Sequence, residues 1–551
     1  HALSAKSGLP AVSRSGPTVL ALRQVITMTI PLAGTGTEGQ HAPEAHEGDS
    51  LTVGLCSGAT LAVLQKSIGM LRHILFLCWL TQDQMGRFTV AQNWLSTAAP
   101  LIVLGLPATL CRYVEHYRRL GQLRSYLLRI TRACILMPMP MVLAGILRPD
   151  WFTDFIYRDA ETTELVRLLA VILATVLAAA TVNELLLAHR MFRAAAQMQF
   201  LGTIVFLCTG AALMALTPLR DFAVLLAFGL SNLTIALGGL IRFRPRWSSY
   251  RDAEKAQPAK QFWAKLLGYS MWNAFSGCLA GLFFCGINQI MIHNDKLTPR
   301  EAEGMIGQLA SGIFIPMQLM FFLLGLMGTT LFPYMSRDWE RGMQQMVAQR
   351  FHTAFKILML GFYAGSIAVL LIAPILFDTI LHGRYDDGRE ILPYSLALYA
   401  WMTATYFSQY FVLCAERPRA VCIALLLGVV FVGLSGNYCV STFGLLGAVI
   451  ALTLGHGVSL IFLLHACWRN GMPLDRSILI AALLPLGLIF GTIPAIVMLL
   501  ATIAISLYGT WLFTDDERSL LLNRMHRIVE HYAPASFKQL PFFRVVTRYD
   551  S

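Results

Sequence analysis

The chain has 551 residues, of which 56% are hydrophobic and only 13% are charged. A soluble domain normally carries about a quarter charged residues, so this composition excludes an ordinary water-soluble fold and indicates a membrane protein. The formal net charge of +12 is explained by membrane topology and by attraction to anionic lipid headgroups, and we predict no nucleic-acid partner.

Residues 1–50 are rich in Gly, Ser, Pro and His and lack an adequate apolar core. Such a segment cannot bury enough apolar surface to fold, so we predict a disordered or truncated cytoplasmic leader. The stretch 18–30 is too interrupted for a convincing signal peptide.

Apolar runs long enough to cross a membrane as helices then follow one another as far as Phe513. We therefore predict an all-α polytopic membrane protein with about fourteen transmembrane helices. Their predicted positions are 52–81, 88–111, 122–147, 163–188, 194–217, 221–241, 264–292, 304–333, 353–381, 391–415, 420–441, 444–467, 476–491 and 494–513.

Lys and Arg are distributed unevenly between the loops. The loops after most even-numbered spans and the tail after Phe513 hold far more of them than the loops after odd-numbered spans. Because cytoplasmic loops retain positive charge, both termini are predicted to be cytoplasmic. The longest predicted outer loop, 148–164, carries Asp150, Asp154 and Asp159, which we interpret as a solvated face.

An internal repeat predicts how the helices are arranged. LGLPATLCRYVEHYRRLGQL (104–123) ends span 2 much as LGLMGTTLFPYMSRDWERGMQQM (324–346) ends span 8, and AHRMFRA (188–194) ends span 4 as AERPRA (415–420) ends span 10. We predict two six-helix bundles related by a pseudo-twofold axis along the membrane normal, because each bundle has an even number of spans. The predicted domains are a leader (1–50), an N-terminal lobe (51–241), a cytoplasmic linker (242–263), a C-terminal lobe (264–468), an extra transmembrane helix pair (469–513) and a cytoplasmic tail (514–551).

Three cationic or titratable side chains lie inside the first span. Lys66, Arg72 and His73 would each cost at least about 2.5–3.5 kcal/mol in the bilayer unless they face water or a partner. Lys66 and His73 are one heptad apart and share a helical face, whereas Arg72 points about 120° away. We expect them to line a central cavity, where cations can bind an anionic ligand. The alternative is that the span begins near Met70 and that Lys66 and Arg72 snorkel to the cytoplasmic surface.

Other polar side chains in the spans are weaker candidates for contacts with a ligand. Bonding between helices is the simpler explanation for them. The candidates are Asn273, Asn288, Gln289, Gln318 and His456. The eleven cysteines lie in or at the ends of apolar runs without a CxxC pair, and the histidines are dispersed, so we predict no metal site and no cofactor.

Four segments are similar to the polysaccharide flippases of the multidrug/oligosaccharidyl-lipid/polysaccharide (MOP) exporter superfamily. They are GRFTVAQNW (86–94), LGLPATLCRY (104–113), FPYMSRDWERG (332–342) and GNYCVSTFGLLGAVIALTLGHGVSLI (436–461). The resemblance covers roughly residues 50–513 and implies two six-helix lobes that alternate access to a cavity. Where many relatives place an Asp–Arg type pair late in span 7, this chain has Asn288 and Gln289, so ion coupling is not implied at that position.

The resemblance implies a transporter rather than an enzyme. Its expected substrate is an undecaprenyl-diphosphate-linked oligosaccharide, moved from the inner to the outer leaflet of a bacterial inner membrane for export of exopolysaccharide. The expected partners are this lipid-linked saccharide and membrane lipids, with a polysaccharide polymerase and a chain-length regulator as further candidates. Two alternatives stay open. A multidrug or organic-cation antiporter would need a buried carboxylate, whereas the buried charges in this sequence are predicted to be cationic. A membrane glycosyltransferase or polymerase would need a larger catalytic loop.

Overall fold

The computed structural model describes residues 51–218, 220–250, 252, 257–509, 511–514 and 517–519. Within these ranges every regular element is a helix, as predicted. The predicted leader at 1–50 lies outside the described residues. Most of the predicted tail at 514–551 lies outside them as well.

The N-terminal half of the described chain runs from the first helix to residue 250. Its helices are α1 (Leu51–Trp79), α2 (Gln82–Ile102), α3 (Leu106–Arg119), α4 (Leu123–Leu136), α5 (Met139–Leu147), α6 (Asp150–Ile156), α7 (Thr163–Ala188), α8 (Phe192–Leu216) and α9 (Arg220–Ser249).

The C-terminal half follows from residue 259. Its helices are α10 (Ala259–Ile292), α11 (Pro299–Thr330), α12 (Phe332–Glu340), α13 (Gln344–Pro374), α14 (Asp386–Glu390), α15 (Leu392–Cys414), α16 (Pro418–Arg469), α17 (Arg476–Leu483) and α18 (Thr492–Tyr508). A π-helical turn at Ile375–Ile380 extends α13, and a 3-10 segment at Leu484–Phe490 extends α17.

Eight helical segments of the described chain are long and apolar enough to cross a membrane, and α2 with α3 adds a ninth if this pair, bent by 45°, is one span. The chain is therefore a multi-pass membrane protein. The helices at predicted spans 1, 10, 13 and 14 are not among these segments. Residues 476–490 are short for a span, but eight α-helical and seven 3-10 residues together still reach about 26 Å.

Helix α16 covers two predicted spans, 420–441 and 444–467, and reverses direction between them. Gly444 has φ 57° and ψ −131°, a conformation that only glycine adopts readily. The Oγ of Ser459 donates to the carbonyl of Ala424 at 3.0 Å, and a Cβ on Gly455 would lie 2.9 Å from the carbonyl of Gly428. The two parts therefore pack side by side as an antiparallel pair.

Left-handed turns recur at corresponding places in the two halves. Gly121 and Gly342 follow the amphipathic helices α3 and α12, and both have positive φ. Positive φ also recurs at Arg158 and His382, and again at Arg190 and Glu416. Each pair is separated by a little over 220 residues, the spacing of the sequence repeat.

Most of the predicted linker at 242–263 is helical, because α9 continues to Ser249 and α10 starts at Ala259. Between these helices, the carboxylate of Asp252 accepts hydrogen bonds from the backbone N–H groups of Arg124 and Ser125, each at 2.9 Å. Asp252 thus satisfies the free donors at the start of α4 and holds the linker against the N-terminal half.

The two halves meet along α2 and α3, which pack against α10 and α11. Small residues permit this close approach where lipid provides no hydrophobic drive between helices. A Cβ on Gly105 would lie 2.6 Å from the carbonyl of Ser270, and one on Gly281 would lie 2.5 Å from the Oγ1 of Thr97. At the start of α2 the approach is closer still, because a Cβ on Gly307 would lie 2.0 Å from the carbonyl oxygen of Gln82.

Candidate translocation site and the seam that closes it

Helices α1 and α11 bring together three of the predicted site residues. The Nζ of Lys66 lies over the Phe321 ring, 4.7 Å from its centroid, and the His73 ring stacks on Phe314 with 3.6 Å between centroids. Gln318 lies between these two phenylalanines on the same face of α11, because residues three and four apart share a helical face. We call Lys66, His73, Phe314, Gln318 and Phe321 the α1–α11 site.

The α1–α11 site is polar without being internally satisfied. Lys66 is exposed, and the Nε2 of His73 and the Oε1 of Gln318 are buried atoms without a hydrogen-bond partner among the described residues. Buried polar atoms normally have partners. An amide oxygen, an imidazole nitrogen and an ammonium group beside aromatic rings are suited to a ligand with anionic and hydroxyl groups.

Arg72 points elsewhere. Its guanidinium carbon lies 4.1 Å from the centroid of Phe206 and 6.0 Å from that of Phe76, both in the N-terminal half. The structure therefore separates Arg72 from Lys66 and His73, although all three are neighbours in sequence.

The remaining predicted residues lie apart from the α1–α11 site. Asn273 is exposed on α10, whereas Asn288 is buried and its Nδ2 has no partner among the described residues. Gln289 donates to the carbonyl of Ile156 at 3.3 Å, which is a contact between the halves. His456 is fully buried in the C-terminal half and stacks on Phe283 with 3.9 Å between centroids.

A network of charges joins the two halves near the start of α2. Arg87 in α2 contacts Glu303 in α11 through Nε at 2.8 Å, Asp159 through Nη2 at 3.3 Å and Asp221 at the start of α9 through Nη1 at 3.3 Å. The hydroxyl of Tyr157 donates to the carbonyl of Arg87 at 3.0 Å. One guanidinium therefore holds three carboxylates from three separate elements.

The residues near Arg87 and Glu303 in the sequence explain why these two side chains meet. Helix α11 begins with a capping box in which Thr298 and Glu301 satisfy each other's backbone N–H groups, with Pro299 in the first turn. Glu303 follows one turn later. Gly86 faces its backbone, and a Cβ on Gly86 would overlap the carbonyl oxygen of Glu303. We call Gly86, Arg87, Asp159, Asp221 and Glu303 the seam.

A second contact closes the same end of the molecule. The guanidinium of Arg384 donates to the carbonyls of Cys78 and Leu80, at 2.6 and 2.8 Å, at the end of α1. The amide of Gln82 donates to the carbonyl of Arg384. The loop after α1, the loop that contains Arg384 and the loop 148–164 all have few basic residues, which predicts an outer position for them. The seam therefore lies at the predicted outer end, opposite Lys66.

The seam was not predicted from the sequence. Asp159 was interpreted as part of a solvated face, which is wrong because it binds Arg87. The expectation that buried charges are cationic is also wrong, since the Glu303 side chain has no exposed surface. The signal in the sequence was the pair Gly86 and Arg87, which opens one of the family-like segments. In the described part of the chain, no group of three His, Cys, Asp or Glu side chains is arranged to hold a metal ion.

Comparisons with known proteins identify a family and a fold. Residues 53–339, just over half of the chain, match the sequence model of a family described as "Polysaccharide biosynthesis protein". Among curated proteins, no sequence is similar enough to count as a relative.

Several solved structures have a similar fold. The lipid II flippase MurJ in an inward closed conformation is 12% identical with a TM-score of 0.59, and the match covers 85% of this chain and 99% of MurJ. An inward-facing multidrug resistance MATE transporter of the MOP superfamily is 14% identical with a TM-score of 0.58, covering 74% of this chain and 94% of that one. A MOP superfamily transporter from Pyrococcus furiosus is 13% identical with a TM-score of 0.57, covering 76% and 96%. At these identities the likeness shows the fold, which is that of MOP-superfamily membrane transporters.

Proposed function

Because the chain belongs to the polysaccharide biosynthesis protein family, we propose that it is a flippase for lipid-linked oligosaccharide. The proposed substrate is an undecaprenyl-diphosphate-linked sugar. The protein moves it from the inner to the outer leaflet of a bacterial inner membrane, with both termini in the cytoplasm, for export of surface polysaccharide. A polymerase and a chain-length regulator are then the partners that would act on the delivered glycan.

The observation that carries this proposal is the α1–α11 site. Lys66 supplies a cation for a diphosphate, while Phe314 and Phe321 supply the aromatic faces beside it. His73 and Gln318 each retain a free polar atom that can bond a hydroxyl or phosphate oxygen. A lysine beside these groups tolerates a mobile diphosphate, because its ammonium group acts as a point charge rather than a rigid fork.

The seam supports transport by alternating access. Lys66 remains exposed while the seam is closed at the predicted outer end. Release to the outer leaflet then requires the halves to part at Arg87 and Glu303. The fourteen spans and the pseudo-twofold axis belong to this proposal; the repeated left-handed turns and the antiparallel halves of α16 support them.

The antiporter alternative needs a buried carboxylate that is free to receive an organic cation. Glu303 is buried, but its Oε2 is bound by Arg87, and that guanidinium also holds Asp159 and Asp221. The polymerase alternative needs a larger catalytic loop, whereas the outer loop 148–164 is short and its Asp159 is bound by Arg87. Both observations favour the flippase.

A flipping assay in proteoliposomes with a fluorescent undecaprenyl-diphosphate-linked sugar tests the proposal. Lys66→Gln should lower apparent substrate affinity roughly ten- to a hundredfold, since a hydrogen bond to a charged group contributes about 1.5–3 kcal/mol. Lys66→Arg should retain much of the activity, because it keeps the positive charge.

Lys260→Gln is the matched control, because Lys260 is an exposed lysine near the start of α10, outside the site. Arg72→Gln should spare flipping, because Arg72 faces Phe206 rather than the α1–α11 site. Wild-type flipping by Lys66→Gln would remove this lysine from the binding site. Export of a fluorescent organic cation without any lipid flipping would establish the antiporter instead.

A further inference from the structure

Glu303 is a fully buried carboxylate that is paired through only one of its two oxygens. Its side chain has no exposed surface, compared with 17% for that of Arg87. Its Oε2 accepts a hydrogen bond from the Nε of Arg87 at 2.8 Å. Its Oε1 is also buried and has no partner among the described residues. A buried carboxylate oxygen without a donor is costly in its ionised form.

The surrounding charges do not compensate for Glu303. Arg87 shares its positive charge with Asp159 and Asp221, at 3.3 Å each. The next ion pair between these helices, Arg300 with Asp83 at 3.9 Å, is neutral by itself. Tyr157 contacts Arg87 through its hydroxyl and contributes no charge. Three carboxylates thus depend on one guanidinium, and two negative charges are left over if all three are ionised.

The three carboxylates differ in what stabilises their charged forms. The Oδ1 of Asp159 accepts from the backbone N–H of Glu161 at 3.0 Å, and the Oδ1 of Asp221 accepts from the N–H of Phe222 at 2.9 Å. Both side chains are also partly exposed, by 23% and 12%. The Oε1 of Glu303 has neither a donor among the described residues nor exposed surface. A proton bound by Glu303 therefore removes a buried negative charge that is only partly compensated.

We propose that Glu303 is a proton-binding site that is occupied while the seam is closed and vacated when the halves part there. On closure, one proton from the adjoining water binds the Glu303 carboxylate and removes one of the three negative charges. On opening, water reaches the carboxylate, which ionises and returns the proton to the same compartment. The three carboxylates contact Arg87, and the described residues contain no group of three His, Cys, Asp or Glu side chains placed to hold a metal ion.

This inference rests on the opening of the seam in the proposed function, but not on the identity of the cargo. Closure with uptake of one proton makes the ratio of closed to open seam depend on the pH of the compartment that the seam faces. Each unit of falling pH should raise that ratio by up to about tenfold, the limit for a single linked proton.

Distance measurements between spin labels across the seam test the site. Labels at Asp154 and Asp295 lie in different halves at exposed positions, and His293, two residues before Asp295, contacts the carbonyl of Asp154 at 3.3 Å. The full chain is placed in lipid nanodiscs, with the exposed Cys111 and Cys208 replaced by Ser. Double electron–electron resonance is then recorded from pH 5 to pH 8 without substrate.

In the otherwise wild-type chain, the short-distance population should grow as the pH falls. Glu303→Gln should show the short distance at every pH, because the amide imitates the protonated acid. Glu303→Asp should keep a pH dependence. Glu301→Gln is the matched control, because it is exposed on the same helix and a glutamine can still serve the capping box; it should titrate as the wild type does.

Three results would overturn the proton site. They are a wild-type distance that does not change with pH, a Glu303→Gln chain that titrates as the wild type does, and a Glu303→Gln chain that stays open. The last would mean that the ionised pair with Arg87 holds the seam shut. Closure by sodium at pH 8 in place of protons would also contradict the site. A chain that keeps the titration but flips no lipid-linked sugar would refute only the proposed function.

Discussion

Gly86 and Arg87 are adjacent in sequence and serve the same contact in different ways. Gly86 lets the backbones of α2 and α11 touch, because it has no side chain at the point where they cross. Arg87 then reaches across to Glu303 at a distance of 2.8 Å. An arginine suits this partly buried position because its planar fork has several donors in fixed directions. Close approach and charge pairing at the seam therefore depend on each other.

Gly86→Ala should hold the seam open. The added Cβ would overlap the carbonyl oxygen of Glu303, and a backbone atom cannot move aside as the end of a flexible side chain can. We expect a shift towards long distances between the labels at 154 and 295, together with a loss of thermal stability of about 1–3 kcal/mol.

Gly361→Ala is the control for this change. Gly361 lies within α13 and has no heavy atom within 4 Å of an added Cβ. Alanine there should leave the label distance unchanged and stabilise the helix by up to about 1 kcal/mol. Equal effects of the two substitutions on the label distance would mean that the fit at Gly86 does not control the seam.

At the scale of elements, the segment after α18 is joined to α13 by buried polar groups. Lys356 in α13 is 1% exposed, and its Nζ lies 2.6 Å from the Oε2 of Glu517. The Nε2 of His352 lies 2.9 Å from the Oδ1 of Asp475, which caps α17. Burial by itself would raise the pKa of Asp475, but hydrogen bonds with His352 and Ser477 outweigh it and lower this pKa.

Docking of this segment should depend on the charge of Glu517. Burial works to raise the pKa of Glu517, but hydrogen bonds from His352, Lys356 and Thr353 outweigh it and hold this pKa far below its usual range. An unfolded Glu has a pKa of about 4.3. Because the native pKa is the lower of the two, the stabilisation is complete at neutral pH and is lost as the pH falls below about 4 towards the native pKa.

Glu517→Gln should therefore release residues 511–514 and 517–519 at pH 7. Breaking a buried ion pair by removing one partner costs about 3–5 kcal/mol, because the other charge is left buried. Faster hydrogen exchange in this segment is the expected result, and wild-type protein at pH 3.5 should shift in the same direction. The double variant with Lys356→Met should be closer to the wild type, because no charge is left unpaired.

Glu164→Gln provides the comparison for a surface pair. Glu164 and Arg167 are 71% and 47% exposed, and such pairs contribute only about 0–1 kcal/mol. Its hydrogen exchange should match that of the wild type in residues 511–514 and 517–519. Unchanged exchange in Glu517→Gln as well would show that apolar contacts, rather than this ion pair, hold the segment in place.

At the scale of the whole molecule, the loops fall into two sets at opposite ends. The loops bearing Asp154 and Arg384 meet at the end that contains the seam. Gly121 and Gly342 terminate the amphipathic helices α3 and α12 in the basic loops of the other set. If the charge distribution sets the orientation, these two ends face opposite sides of the membrane.

Labelling of single cysteines in intact cells tests this orientation. Asp386→Cys is exposed at the predicted outer end and should react with a membrane-impermeant maleimide. Arg341→Cys, exposed beside Gly342, should react only after the membrane is permeabilised. The reverse pattern would invert the topology and would make the seam a cytoplasmic closure.

The sequence by itself determined the helical membrane fold, the repeat and the cationic first span. Each rests on local pattern: a run of about 20 apolar residues is enough to specify a spanning helix wherever it occurs. The same reasoning placed Lys66 and His73 on one face of α1, and both contact α11. It also divided 418–469 into two spans, which the backbone of Gly444 separates.

Only the tertiary structure decided which charges meet. Arg87 is separated in sequence from Asp159 by 72 residues, from Asp221 by 134 and from Glu303 by 216. Helical periodicity places a side chain on a face but does not specify which helix covers that face. Whether a buried charge is compensated depends on partners from other helices. For that reason Arg72, beside His73 in sequence, faces Phe206, while Asp159, from a loop that looked solvated, became part of the seam.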